Sequence, residues 1–84
     1  GVENQSSTSF AVYPNPVTES LRINLGTTVK EASYQIVNQL GALVATGNIT
    51  DSTKNLDVHD LSAGIYIIRV KNAGETASMR FVKN

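Results

Sequence analysis

Gly64-Ile65-Tyr66-Ile67-Ile68-Arg69-Val70-Lys71-Asn72-Ala73-Gly74-Glu75-Thr76-Ala77-Ser78-Met79-Arg80-Phe81-Val82-Lys83 holds two apolar segments with period-two patterning, separated by turn-forming residues. That is the composition of a β-hairpin. Closing the loop between Asn72 and Glu75 sets Val70 opposite Ala77, Ile68 opposite Met79 and Tyr66 opposite Phe81, and all six then share one face. A three-residue loop with Gly74 left-handed would instead oppose Ile67 to Met79 and Ile65 to Phe81. One residue of slip moves a strand's whole apolar set to the other side. The first closure is preferred because it gathers Arg69, Lys71, Ser78 and Arg80 on the solvent face.

Working outward, the same rhythm recurs. Strands are expected over residues 10–13, 20–25, 32–38, 42–49, 55–58, 64–71 and 76–83, each bounded by residues that favour turns. No window of helical length repeats apolar residues at i, i+3, i+4 and i+7 with caps. In Asn38-Gln39-Leu40-Gly41 a type I turn followed by a left-handed glycine makes a three-residue hairpin loop, because glycine accepts positive φ without steric cost. That loop pairs Val37 with Leu43 and Ile36 with Val44. In Tyr13-Pro14-Asn15-Pro16 each proline fixes φ and removes an N–H, so the first strand ends there. The expectation is a rigid crossover from one sheet to the other. Asp60-Leu61-Ser62-Ala63-Gly64 reads as a tight turn that tucks Leu61 under the core. The fold class is therefore all-β, a sandwich of about seven antiparallel strands.

The chain's 84 residues make one domain, expected to span residues 10–84. It has no cysteine, so apolar burial rather than disulfides or thiolate metal sites must hold it. Seven Lys plus Arg balance seven Asp plus Glu, which argues against a phosphate-tracking nucleic-acid binder. The apolar run Ile65 to Ile68 is far short of the roughly 20 residues of a membrane-spanning helix. No basic-then-apolar signal peptide opens the chain. That leaves a soluble cytosolic protein or the end of something longer. The polar, Ser/Thr-rich lead over residues 1–9 reads as a linker and favours the second.

The Tyr13-Pro14-Asn15-Pro16 start, the strand Leu21-Arg22-Ile23-Asn24, the Asn38-Gln39-Leu40-Gly41 hairpin, the segment from Leu61 to Val70 and the Arg80-Phe81-Val82-Lys83 finish resemble, in order and spacing, the C-terminal sorting domain of type IX secretion cargo. The resemblance covers about residues 9–84. It implies an immunoglobulin-like sandwich of about seven strands, and a domain that is an address rather than an enzyme. The implied partners are an outer-membrane translocon that reads it, an upstream cargo domain and a sortase-like protease. The protease removes the signal at the cell surface, often attaching cargo to anionic lipopolysaccharide. The implied route runs through the periplasm to the outer membrane and cell surface, with extracellular release after cleavage.

Carried over position by position, the family signature falls on Tyr13, Pro14, Asn15, Pro16, Gly41, Gly64, Tyr66 and Lys83, most of them fold determinants. Residues 65–84 are the part implied to matter most for export. Within them, translocon recognition is assigned to Met79, Arg80, Phe81, Val82 and Lys83. An edge strand there could be read by strand addition, with Arg80 and Lys83 supplying charge at the rim. Edge strands could also pair two copies into a dimer. Cleavage is expected in or just before residues 1–9.

Other chemistry is thinner. The single His59 beside Asp57 and Asp60 reads as a loop residue rather than a metal ligand or proton-transfer group, since no second histidine or cysteine accompanies it. Asp60 is expected to cap the turn. Residues 6–9 form no nucleophile constellation, and no phosphate loop or dinucleotide fingerprint is present, so no cofactor is expected. The alternative reading is a carbohydrate-binding or adhesive fibronectin-like module, with Tyr13 and Tyr34 lining a sugar face.

Overall fold

The computed structural model describes residues 10–26, 29 and 31–84. The expected linker and cleavage region over residues 1–9 lies outside them. Seven strands follow one another: β1 (Ala11–Tyr13), β2 (Ser20–Asn24), β3 (Ala32–Val37), β4 (Leu43–Ile49), β5 (Thr53–Asp57), β6 (Gly64–Asn72) and β7 (Glu75–Lys83). They form a three-stranded sheet in the order β1-β2-β5 and a four-stranded sheet in the order β4-β3-β6-β7, with all strand neighbours antiparallel. Inward side chains of both sheets, among them Leu21, Ile23, Ile36, Ile68, Val70 and Phe81, are fully or almost fully buried in one core. The sheets are held face to face by that shared apolar layer.

The β6–β7 hairpin closes with Asn72 opposite Glu75, and the register sets Val70 against Ala77, Ile68 against Met79 and Tyr66 against Phe81. Tyr66 is 6% exposed and Ile65 38%, which settles the register in favour of the two-residue loop. Ala73 and Gly74 both have positive φ, 54° and 85°. Positive φ at both central residues is the geometry whose twist matches the flanking strands. The Tyr66 and Phe81 rings stack across the two strands with centroids 5.5 Å apart.

Tyr66 has a second task. Its hydroxyl donates to the main-chain oxygen of Ser62 at 2.6 Å, tying the start of β6 to the turn before it. This is the tyrosine corner of immunoglobulin-like sandwiches. Leu61 packs against the core as expected, and the phenol locks the turn above it. Tyr66→Phe keeps the stacked ring but strips the Ser62 oxygen of its donor, so a loss of about 0.5–1.5 kcal/mol in urea denaturation is expected. An unchanged midpoint would show that water replaces the bond freely.

Two expectations are corrected. Gly41 is left-handed at φ 84° and Val37 does pair with Leu43, but Ile36 pairs with Ala45 rather than Val44. The extra residue is a β-bulge at Val44. Leu43, Val44 and Ala45 are three apolar residues in a row, and a regular strand would turn the middle one away from its neighbours. The bulge lets Val44 and Ala45 both border the cleft of about 370 Å³ between β4 and β5, beside Ile36, Leu56 and Leu61. Three positions further on, Gly47 lies opposite Tyr34. A Cβ on Gly47 would stand 2.8 Å from the tyrosine ring, so the ring occupies the space the glycine leaves free.

The second correction concerns Tyr13-Pro14-Asn15-Pro16. It does not carry the chain between sheets, because β1 and β2 are antiparallel neighbours in one sheet, with Val12 opposite Ile23. Both X–Pro bonds are cis. The segment leans across to the border of the other sheet and returns, anchored by Val17, which is fully buried. Pairing of Val12 with Ile23 and burial of Val17 are both satisfied by this excursion, whereas a true crossover would give up the first.

Candidate functional site: the edge of the terminal strand

The C-terminal strand β7 is the outermost strand of the four-stranded sheet. Where it meets the excursion after β1, it is covered. Val17 donates its N–H to the Val82 oxygen and accepts from the Asn84 N–H, each at 2.8 Å, forming a parallel bridge with Lys83. The Asn15 side-chain oxygen accepts from the Val82 N–H at 3.0 Å. Asn15 and Val17 thus clip residues 82–84.

The rest of the border is open. Because Val82 turns both its N–H and its C=O away from β6, strict alternation along an unbroken antiparallel register turns those of Thr76, Ser78 and Arg80 the same way. Among the described residues these three have no main-chain partner on that side. The accessible border of β7 therefore covers residues 76–80 only. It is a row of unpaired donors and acceptors of the kind that templates strand addition.

The five residues assigned to recognition fall into two groups. Met79 and Arg80 are exposed and Val82 is half-buried, whereas Phe81 is fully buried. Lys83 is 7% exposed, and its ammonium donates to the Asn84 main-chain oxygen at 3.1 Å. The rim charge expected from Lys83 is absent, because its inward parity in β7, shared with Phe81, sends the stem toward the core. Arg80 holds the exposed charge alone. Of the signature positions, Tyr13, Pro14 and Pro16 are exposed at the excursion, Asn15 holds the clip, Gly41 makes its turn, and Gly64 opens β6 with φ 156° opposite Lys83. Sequence reasoning missed what Asn15 and Val17 do, since the Asn15 contact spans 67 residues and has no local signature.

Away from this border, Asp57 rather than Asp60 organises the β5–β6 turn. Its carboxylate accepts the His59 N–H at 3.1 Å and the ring Nδ1 at 2.5 Å. Asp60 instead takes the ring Nε2 at 3.1 Å. The Asp57 hydrogen bond, followed by the charges of Asp57 and Asp60, raises the His59 pKa above its usual 6.5. The hydrogen bonds from His59 lower that of Asp57. The pair's contribution is thus whole between the ordinary Asp57 and His59 values of 3.8 and 6.5. It fades as pH rises through the raised His59 value and as pH falls through the depressed Asp57 value. An NMR titration should place the His59 midpoint above 6.5, and Asp57→Asn should bring it down. Among the described residues no group of three or more His, Cys, Asp or Glu is placed to hold a metal. Tyr13 stands on the outer face of the three-stranded sheet, while Tyr34 turns inward on the other, so the two share no sugar-binding face.

The profile of the family described as "Secretion system C-terminal sorting domain" matches residues 11–84. The chain belongs to that family. It is a C-terminal sorting domain of type IX secretion, an address for export to the outer membrane and cell surface that engages the secretion system. A sorting signal on an immunoglobulin-like sandwich is a non-enzymatic kind of module. No protein of curated function matches the sorting domain in sequence.

Among solved structures it is similar to PorZ, described as an essential bacterial surface component of the type IX secretion system of Porphyromonas gingivalis. The identity is 19% and the TM-score 0.75, over 89% of this chain and 11% of that one. It is also similar to a DUF3244 family protein from Bacteroides vulgatus with an immunoglobulin-like β-sandwich fold. Here the identity is 12% and the TM-score 0.76, over 89% of this chain and 83% of that one. At these identities the likeness is one of fold.

Proposed function

We propose that this sorting domain is read by the outer-membrane translocon through strand addition to residues 76–80 of β7, with Met79 and Arg80 as the accessible side chains of the assigned set. The open border of β7 carries this reading. Three outward N–H and C=O pairs offer main-chain affinity without regard to sequence, and Arg80 adds charge beside them. Phe81 and Lys83 then act by holding the border in place rather than by touching the partner. On the same reading, the domain passes through the periplasm behind an upstream cargo domain, and a sortase-like protease removes it at the cell surface within or just before residues 1–9.

The test fuses residues 1–84 behind a periplasmic reporter in a type IX-competent strain and compares it with Ser78→Pro. The Ser78 N–H faces away from β6, and proline is tolerated on an edge strand when the lost donor faces solvent. Surface delivery should fall by roughly tenfold, with the denaturation midpoint little changed. Undiminished delivery by a folded Ser78→Pro variant would sink strand addition as the means of recognition.

A further inference from the structure

The outward face of the four-stranded sheet carries apolar groups beside the Arg69, Lys71, Ser78 and Arg80 expected there. Cross-strand partners put Leu43, Val37, Ile67 and Arg80 in one outward row, where Val37 is itself only 8% exposed, with Ile65 and Val82 in the row beyond it. Leu40, at the tip of the β3–β4 loop, is 91% exposed, and Leu43 is 54% exposed. Leu40 and Ile65 border one shallow depression of about 260 Å³. The other half of the face is cationic, with Arg69 and Lys71 outward and no Asp or Glu in any of these rows. In a chain of zero net charge, that is a segregated surface: an apolar end, a basic margin, and the open border of β7 alongside.

We infer that this apolar end docks a protein component of the export machinery whose own surface is apolar and bordered by carboxylates. The inference rests on the strand-addition reading and gives that partner its side-chain chemistry. Arg80 belongs both to the apolar row and to the free border, so a partner strand laid along residues 76–80 brings its body over the same face. Contiguous apolar surface of this kind marks interaction sites, and the unbalanced cations select an acidic margin. A second copy fits poorly, because stacking two such faces sets like charges around the contact. A lipid surface also fits poorly. The apolar groups lie on a sheet, not on the amphipathic helix that inserts into a headgroup layer.

The test uses the reporter fused to residues 1–84 with three changes: Leu40→Ser alone, Leu40→Ser with Ile65→Thr, and Arg69→Glu with Arg80→Glu. In addition, a photoreactive phenylalanine analogue is placed at position 65 or, as a control, at position 48. Delivery should fall by roughly tenfold in both double variants at little-changed denaturation midpoints, and position 65 should cross-link to an outer-membrane secretion component while position 48 does not. Leu40 is so exposed that Leu40→Ser tests the face even where a double variant folds poorly. Normal delivery by the apolar variants overturns the inference, as does an adduct at position 65 to a second copy of the chain or to lipid alone. If those variants deliver normally while Ser78→Pro does not, the border reading stands and this one falls. If unaltered residues 1–84 deliver no reporter, the underlying reading has failed instead.

Discussion

Phe81→Ala is expected to destabilise the domain by about 3–5 kcal/mol, a large part of the roughly 5–15 kcal/mol that holds ordinary domains folded. Phe81 is fully buried and stacks on Tyr66 across the β6–β7 hairpin. Truncation empties a ring-sized volume between two sheets that are fixed by their hydrogen bonds, so little collapse can refill it. It also strands the Tyr66 ring at the corner beside Ser62. Arg80→Ala, one residue away and exposed, should shift stability by no more than about 0.5 kcal/mol. Urea denaturation of the pair gives the comparison, and a loss below about 1 kcal/mol for Phe81→Ala would contradict the packing described. The difference bears on how export is tested. Deleting the last residues of β7 removes Phe81 along with the border, so failed delivery after truncation cannot separate lost recognition from lost folding. Single changes at Ser78, Arg80 or Leu40 can.

Val17→Asp is the second change with a large expected effect. Val17 is fully buried and exchanges two main-chain hydrogen bonds with the end of β7. Lys83, the bridge partner of Val17, already gives its ammonium to the Asn84 oxygen, and a buried carboxylate left without a partner costs about 3–5 kcal/mol. Burial raises such a carboxyl's pKa above the unfolded value of about 3.9. The charge-dependent loss is therefore complete above the raised value and vanishes below about pH 3.9, where both states are protonated. Val17→Ala should show a smaller loss without that pH dependence. Hydrogen exchange at the Asn84 N–H should be the first to quicken in both. Slow exchange at Asn84 in Val17→Asp would mean that the clip does not depend on the burial of Val17.

How far the sequence reaches is seen in these same elements. The β6–β7 register was legible because, of the two closures the turn residues allow, the one between Asn72 and Glu75 gathers Arg69, Lys71, Ser78 and Arg80 on the solvent face. The β3–β4 hairpin was legible only at its loop. Turn chemistry sets the first pair, Val37 with Leu43, but nothing local to Leu43-Val44-Ala45 announces the bulge that their packing against β5 produces. The run from Ile65 to Ile68 should have warned that both faces of β6 carry apolar groups, since four consecutive strand residues cannot all point one way. The role of Asn15 was out of reach, because a side chain that caps the opposite end of the chain has no periodicity to betray it. Lys83 was misplaced for a related reason. Its type favours the surface, and only its parity with Phe81 shows that it turns inward.

The parallel bridge between Val17 and Lys83 also has a kinetic side. Joining a residue near the beginning to one near the finish is a contact of high sequence separation, whose loop-closure entropy must be met before any reward arrives. On the ribosome, at about 5–20 residues per second, the sandwich stays unsealed until position 84 has been added. Any polypeptide fused ahead of it has had its own chance to fold by then, so the sandwich seals after whatever precedes it.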